Sequence, residues 1–118
     1  MSASVERLAK RVAVDPYFLA FALAEYAAAE GLDDAALAAA LGAAPGMLPH
    51  VRLSPAPRAD ADGFREDVDR VAAAFALNRD VLATAARHGQ VIAGMRAAAE
   101  ANPAAAGAML AARDRTEP

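Results

Sequence analysis

Residues 33–54 read DDAALAAALGAAPGMLPHVRLS, and the punctuation inside this stretch decides the fold. Asp33 stands just before an apolar run. Its carboxylate is suited to accept one of the backbone N–H groups that a first helical turn leaves unpaired. Leu37, Ala40 and Leu41 follow at the spacing of one helical face. Gly42 supplies the left-handed backbone on which such a helix closes. A second apolar segment opens near Pro45 and carries Met47, Leu48, Val51 and Leu53. Pro49 falls inside it, where a proline removes one backbone bond and crowds the preceding turn. The stretch therefore predicts a short helix, a turn and a second short segment under strain.

Outward from this centre, helical start and stop signals recur. Towards the N-terminus, Val5, Leu8, Ala9 and Val12 fall at i, i+3, i+4 and i+7, which predicts a short amphipathic helix within residues 1–14. Asp15 followed by Pro16 reads as a cap and a first helical proline, opening a helix to Glu30. Its apolar face includes Phe18, Phe21, Ala22 and Tyr26, and Gly31 ends it. Towards the C-terminus, Pro55, Pro57, Asp60, Asp62 and Gly63 mark a loop over residues 54–63. A fifth helix follows with Phe64, Val68, Val71, Ala72 and Phe75 on one stripe, and Glu66 and Asp67 near its positive end. Asn78 caps a sixth helix through Val81, Leu82 and Ala85. Arg87, His88 and Gly89 read as its end, with continuation through Ile92 to Ala101 as the alternative. Asn102 and Pro103 break the pattern before an alanine-rich helix over 103–113, and residues 116–118 read as frayed. No strand alternation of useful length occurs.

The expected fold class is all-α: an orthogonal bundle of six or seven short helices in a single domain. Its core covers residues 16–88, with an N-terminal helix at 1–14 and a helical extension at 90–113. A chain of 118 residues suits one domain. Hydrophobic residues make up 57% of it, but many are alanine, which buries little area. The core must then form by close helix approach around a few large side chains, Leu19, Leu37, Leu41, Phe64, Val68 and Leu82 among them. Some apolar surface is left for a partner to cover.

The formal net charge is −3, whereas a dedicated nucleic-acid binder is usually basic over its domain or one face. Apart from Lys10, every cationic side chain is arginine; with the alanine load, this codon usage suggests a high-GC bacterial genome. The absence of cysteine excludes disulfides, thiolate nucleophiles and Cys-ligated zinc. The longest uncharged stretch, 35–51, is broken by Gly42, Pro45, Gly46 and Pro49 and does not read as a membrane span. No secretory leader pattern opens the chain, so a cytoplasmic location is expected.

From Phe21 to Ala86 the pattern resembles the λ-repressor-like (Cro/C1-type) helix-turn-helix domain. FALAEYAAAEGLD (21–33) resembles the family's first helix and its exit, and DAALAAALG (34–42) the second. APGMLPHVRLS (44–54) sits where the recognition helix belongs, PAPRADADG (55–63) matches the long loop, and FREDVDRVAAAFALNRDVLATAA (64–86) resembles the fourth and fifth helices. The resemblance implies a five-helix core whose second and third helices would face DNA. It departs from the family at the reading position. Base edges are read by side chains with donors and acceptors at the start of the recognition helix. Here that position holds Ala44, Pro45, Gly46, Met47, Leu48 and Pro49, none with a side-chain donor.

Other motifs along the chain fall short of a chemical site. Residues 58–69 mimic part of a calcium loop, with Asp60, Asp62, Gly63, Glu66 and Asp69 in register, but Arg58 replaces the first carboxylate ligand. N-capping acids ahead of a helix account for the same residues. His50 and His88 are far apart and lack a second ligand at helical spacing. Ser2, Ser4 and Ser54 lack a nucleophile-elbow context. GAAPG at 42–46 is a turn with no lysine after it, unlike a phosphate loop. No catalytic, cofactor-binding or metal-binding residue is therefore assigned, and no cofactor, small-molecule substrate or membrane partner is expected.

The expected function is a non-enzymatic regulatory or adaptor protein that uses this scaffold for protein–protein contact, with another protein or with itself. The alternative is a DNA-binding transcriptional regulator acting as a dimer. The candidate contact residues are Met47, His50, Arg52 and Arg58. The two arginines lie in an interval, 35–59, that contains no acidic residue, and could touch phosphates without reading sequence. The extension at 90–113, with Val91, Ile92, Met95, Met109 and Leu110, either packs back on the domain or docks a partner through an adaptable methionine-bearing surface, and the N-terminal helix, Val5 to Val12, poses the same choice.

Overall fold

The computed structural model describes residues 2–101. The helix expected at 103–113 and the frayed end at 116–118 lie outside them. The described chain is all-helical, with six α-helices: α1 (Ser2–Arg11), α2 (Leu19–Glu30), α3 (Asp34–Leu41), α4 (Leu48–Arg52), α5 (Ala61–Phe75) and α6 (Arg79–Ala101). A 3₁₀ turn at Val12–Val14 continues α1.

The caps were largely readable. The Asp33 carboxylate accepts the Ala36 N–H at 2.8 Å, Asp60 that of Gly63 at 2.8 Å and Asn78 that of Val81 at 3.2 Å. Gly31 and Gly42 close α2 and α3 at φ 69° and 71°. Ala76 closes α5 at φ 54°, a conformation costly for a residue with a Cβ. It is held there because the Ala76 and Leu77 N–H groups both donate to the Ala72 carbonyl.

Three expectations are corrected. The first concerns α2, which begins at Leu19 rather than Pro16. Asp15 forms a turn instead of a helix cap: its carboxylate accepts the Tyr17 N–H at 3.0 Å and its carbonyl the Phe18 N–H at 3.1 Å. The backbone beyond is then taken by the loop after α4, since Leu19 N–H donates to Ser54 and Ala56 N–H to Tyr17. Secondly, Pro49 does not lie in a helix interior. The helix α4 starts at Leu48, so Pro49 occupies its first turn, where the missing N–H has no intrahelical partner to lose. Thirdly, Gly89 does not end α6: of the two readings offered, the structure takes the continuation through Ile92 to Ala101, as one helix of 23 residues. A Cβ at Gly89 would come within 2.7 Å of the Ala22 Cα, which makes this glycine a point of close approach between α2 and α6.

The core gathers Leu19 and Leu23 of α2, Leu37 and Leu41 of α3, Val51 of α4, Val68 of α5 and Leu82 of α6, all fully buried. Ala72, Ala85 and Ala86 fill the space between them. No charged or polar side chain is buried among the described residues. The most extensive helix pair is α2 with α6, and α1 lies against α4. No described helix is long and apolar enough to cross a membrane.

Candidate functional site

The α3–α4 turn carries Met47, His50 and Arg52, and the structure turns them in different directions. Leu48, Pro49 and Val51 are buried, which fixes the inner side of α4. His50 faces out and is exposed, while Met47 at the helix start is half-buried. Arg52 lies roughly 200° round the helix from His50. Its guanidinium donates to Asp34 of α3 at 2.8 Å, and its side chain is only 15% exposed. That hydrogen bond holds the Asp34 carboxyl below its ordinary range, against the opposing effect of partial burial, and Lys10 of α1 adds to the lowering. Arg52 is thus a strut between α3 and α4.

Arg58 stands apart from this group, on the loop ahead of α5. Its backbone N–H and Nε donate to Asp67 at 2.9 and 3.0 Å, and its terminal nitrogen bonds Asp67 and Glu66, each at 3.1 Å. The same loop is pinned from α6. Gln90 donates to the Pro57 and Arg58 carbonyls at 3.0 and 3.3 Å. Arg87 donates to the Ala59 carbonyl at 3.2 Å while its guanidinium stacks 3.8 Å over the Phe64 ring. The interval 35–59 lacks acids in sequence, but the fold brings carboxylates from outside it onto both of its arginines. Asp60, read as a possible calcium ligand, is committed to the Gly63 N–H, and no cluster of three metal-ligating side chains occurs among the described residues.

The Arg58–Asp67 pair gives a pH signature. Hydrogen bonds from Arg58, first from its side chain and then its backbone, pull the Asp67 carboxyl from an ordinary value of 3.8 down to about 2. The folded value lies below the unfolded one, so the pair's stabilisation is complete above about pH 4 and is lost as pH falls towards 2. Asp67→Asn is expected to melt at lower temperature than the parent at neutral pH, with the gap closing between pH 4 and 2. Melting curves collected at stepped pH test this; a gap of constant size would remove Asp67 from the acid response.

The sequence left open whether the N-terminal helix packs back on the domain or docks a partner, and its cations were not among the candidate contact residues. Arg7, Lys10 and Arg11 are all exposed on α1. They recur at i, i+3 and i+4, a spacing that places them on one face and was visible from the start. Between α1, α3 and α4 lies a groove of about 280 Å³ whose charged lining is Glu6, Lys10, Asp34 and Arg52. Large apolar side chains are also exposed: Leu8, Val14 and Tyr17 at this end, and Val91 and Met95 one turn apart on α6. No family model matches the chain, and searches of curated proteins and of solved structures return no similar protein.

Proposed function

We propose that the protein is a non-enzymatic regulatory or adaptor module that uses a helix-turn-helix-like α3–α4 arrangement for contact with another protein or with itself. One observation carries the reading. The segment in the recognition position spans five residues, buries Leu48, Pro49 and Val51, spends Arg52 on Asp34 and is flanked by α1. A base-reading helix needs exposed donors and acceptors at its start, and here His50 is the exposed polar side chain of α4. The exposed pair Val91 and Met95 supports protein contact, because adjacent apolar side chains left in water favour association.

The second reading, a dimeric DNA-binding regulator, is favoured by the exposed cations of α1 beside α4. Anisotropy of labelled duplex DNA, random and from upstream of the gene, titrated at low and then moderate salt, separates the two readings. The expected outcome is no saturable binding at moderate salt, with Arg52→Ala and Arg58→Ala changing nothing. Micromolar binding abolished by those substitutions, or by neutralising Arg7, Lys10 and Arg11 of α1, would overturn the protein-contact reading.

A further inference from the structure

We propose that the solvent-facing side of α1 is a docking surface for an acidic segment of another protein that also carries apolar side chains. This rests on the protein-contact reading above and names the partner's chemistry.

Arg7, Lys10 and Arg11 occupy an arc of roughly 100° on α1 and are all exposed. Elsewhere, Arg52, Arg58, Arg70, Arg79 and Arg96 each hold a carboxylate, and Arg87 is spent on Phe64, Ala59 and Gln90. Among the described residues no ion pair is formed by Arg7, Lys10 or Arg11. Arg65 of α5 is exposed and without an ion pair among them as well, so what sets α1 apart is that three such cations share one arc. The helix dipole favours Lys10 and Arg11, which lie in the last turn, but it does not account for Arg7. Like charges at i, i+3 and i+4 oppose one another, and Glu6, four residues before Lys10, offsets this at Lys10 but not between Arg7 and Arg11. The nearest carboxylates in the adjoining groove are Glu6 and Asp34, and Asp34 is already bonded to Arg52.

The surroundings select the partner. Leu8, next to Arg7 on α1, is 47% exposed, and Val14 and Tyr17, which follow the helix in the chain, are 82% and 63% exposed. A phosphate backbone offers such side chains nothing to cover them. A lipid surface is disfavoured by the sidedness of the helix. An interfacial helix turns its apolar face to the acyl chains, whereas α1 packs against α4 and has Ala9 buried. An acidic amphipathic segment satisfies both requirements: carboxylates for the stripe and apolar side chains for its flanks.

The test titrates the full chain into four labelled probes: an amphipathic Glu/Leu helical peptide, a poly-glutamate peptide of equal charge, random duplex DNA, and phosphatidylglycerol-containing vesicles. Micromolar binding of the Glu/Leu peptide, tighter than poly-glutamate, is expected. The variant R7Q/K10Q/R11Q should weaken it about tenfold, the summed effect of three rim ion pairs. L8S/V14S should weaken the Glu/Leu peptide severalfold and poly-glutamate hardly at all. Should the triple variant lose helicity by circular dichroism, Arg7→Glu and Arg11→Glu taken singly carry the comparison. No peptide binding, or binding indifferent to these variants, overturns the α1 surface and leaves protein contact through other faces standing. Preferential binding to duplex DNA or vesicles, abolished by R7Q/K10Q/R11Q, overturns the α1 proposal and the protein-contact reading together.

Discussion

Gly89→Ala is expected to destabilise the protein by about 2 kcal/mol, although helix propensity alone would predict a gain of up to about 1 kcal/mol. The sign is decided by what the new methyl group meets. At Gly89 it would sit 2.7 Å from the Ala22 Cα and closer still to its Cβ. A flexible side chain could swing aside, but an alanine Cβ and backbone cannot. The substitution must therefore separate α2 from α6, the most extensive helix pair in the fold. Gly94 provides the control, since it lies on the same helix with nothing within 4 Å of its virtual Cβ. Gly94→Ala should raise stability by up to about 1 kcal/mol. In thermal unfolding the two variants should move in opposite directions, with Gly89→Ala falling by roughly 10 °C. Ala22→Gly should restore part of the loss in the Gly89→Ala background. A rise in melting temperature for Gly89→Ala would mean that α2 and α6 do not approach closely at this point.

Gly89 also illustrates what sequence can and cannot reveal. Caps are local, since the acceptor and its N–H donor lie two to four residues apart, and Asp33, Gly31, Gly42 and Asn78 were each legible for that reason. A glycine that serves a helix crossing has the same letter as one that ends a helix. What distinguishes them is the residue on the other helix, Ala22, 67 positions away. The start of α2 was misplaced for a related reason. Asp-Pro reads as a helix opening, yet the backbone of Tyr17 and Leu19 is claimed by Ala56 and Ser54, across a pairing that no local pattern announces. Pro49 was misread as an interior proline because the boundary of α4, a helix of five residues, is too short to show periodicity.

The candidate site divides along the same line. That α4 is poor in donors followed directly from its letters. The neutralisation of its neighbourhood did not: Arg52 finds Asp34 across the turn, and Arg58 finds Asp67 and Glu66 a helical turn into α5. An acid-free interval in sequence was not an acid-free surface. The basic face of α1 was fully legible as Arg7, Lys10 and Arg11, but charges at helical spacing usually mark an ordinary solvated face. Its interest arises only when most of the other arginines are seen to be engaged, and when Leu8 of the same helix and Val14 and Tyr17 just after it are found exposed.

The second large effect is expected in the core, at Leu41→Ala, with a loss of about 3–5 kcal/mol. Leu41 is fully buried, and its carbonyl accepts the Asn78 N–H at 2.7 Å, so the residue joins the end of α3 to the start of α6 through both side chain and backbone. The backbone bond survives the substitution, and the loss isolates the cavity. How far a cavity closes depends on its lining. The core here alternates a few leucines and valines with Ala72, Ala85 and Ala86, which have no side-chain torsions with which to fill a void. Closing it would require helices to move, and the approach at Gly89 already leaves α2 and α6 no room to come nearer. The cost should therefore fall towards the upper end of the range for such changes. Leu41→Met, which keeps the volume, should cost less than about 1.5 kcal/mol. Urea unfolding of both variants gives the comparison: a lower midpoint with an unchanged slope for Leu41→Ala marks a cavity in an otherwise intact fold. A loss near 1 kcal/mol would show instead that α3 slides inward, and that Arg52 and Asp34 hold α3 and α4 in a pairing loose enough to allow it.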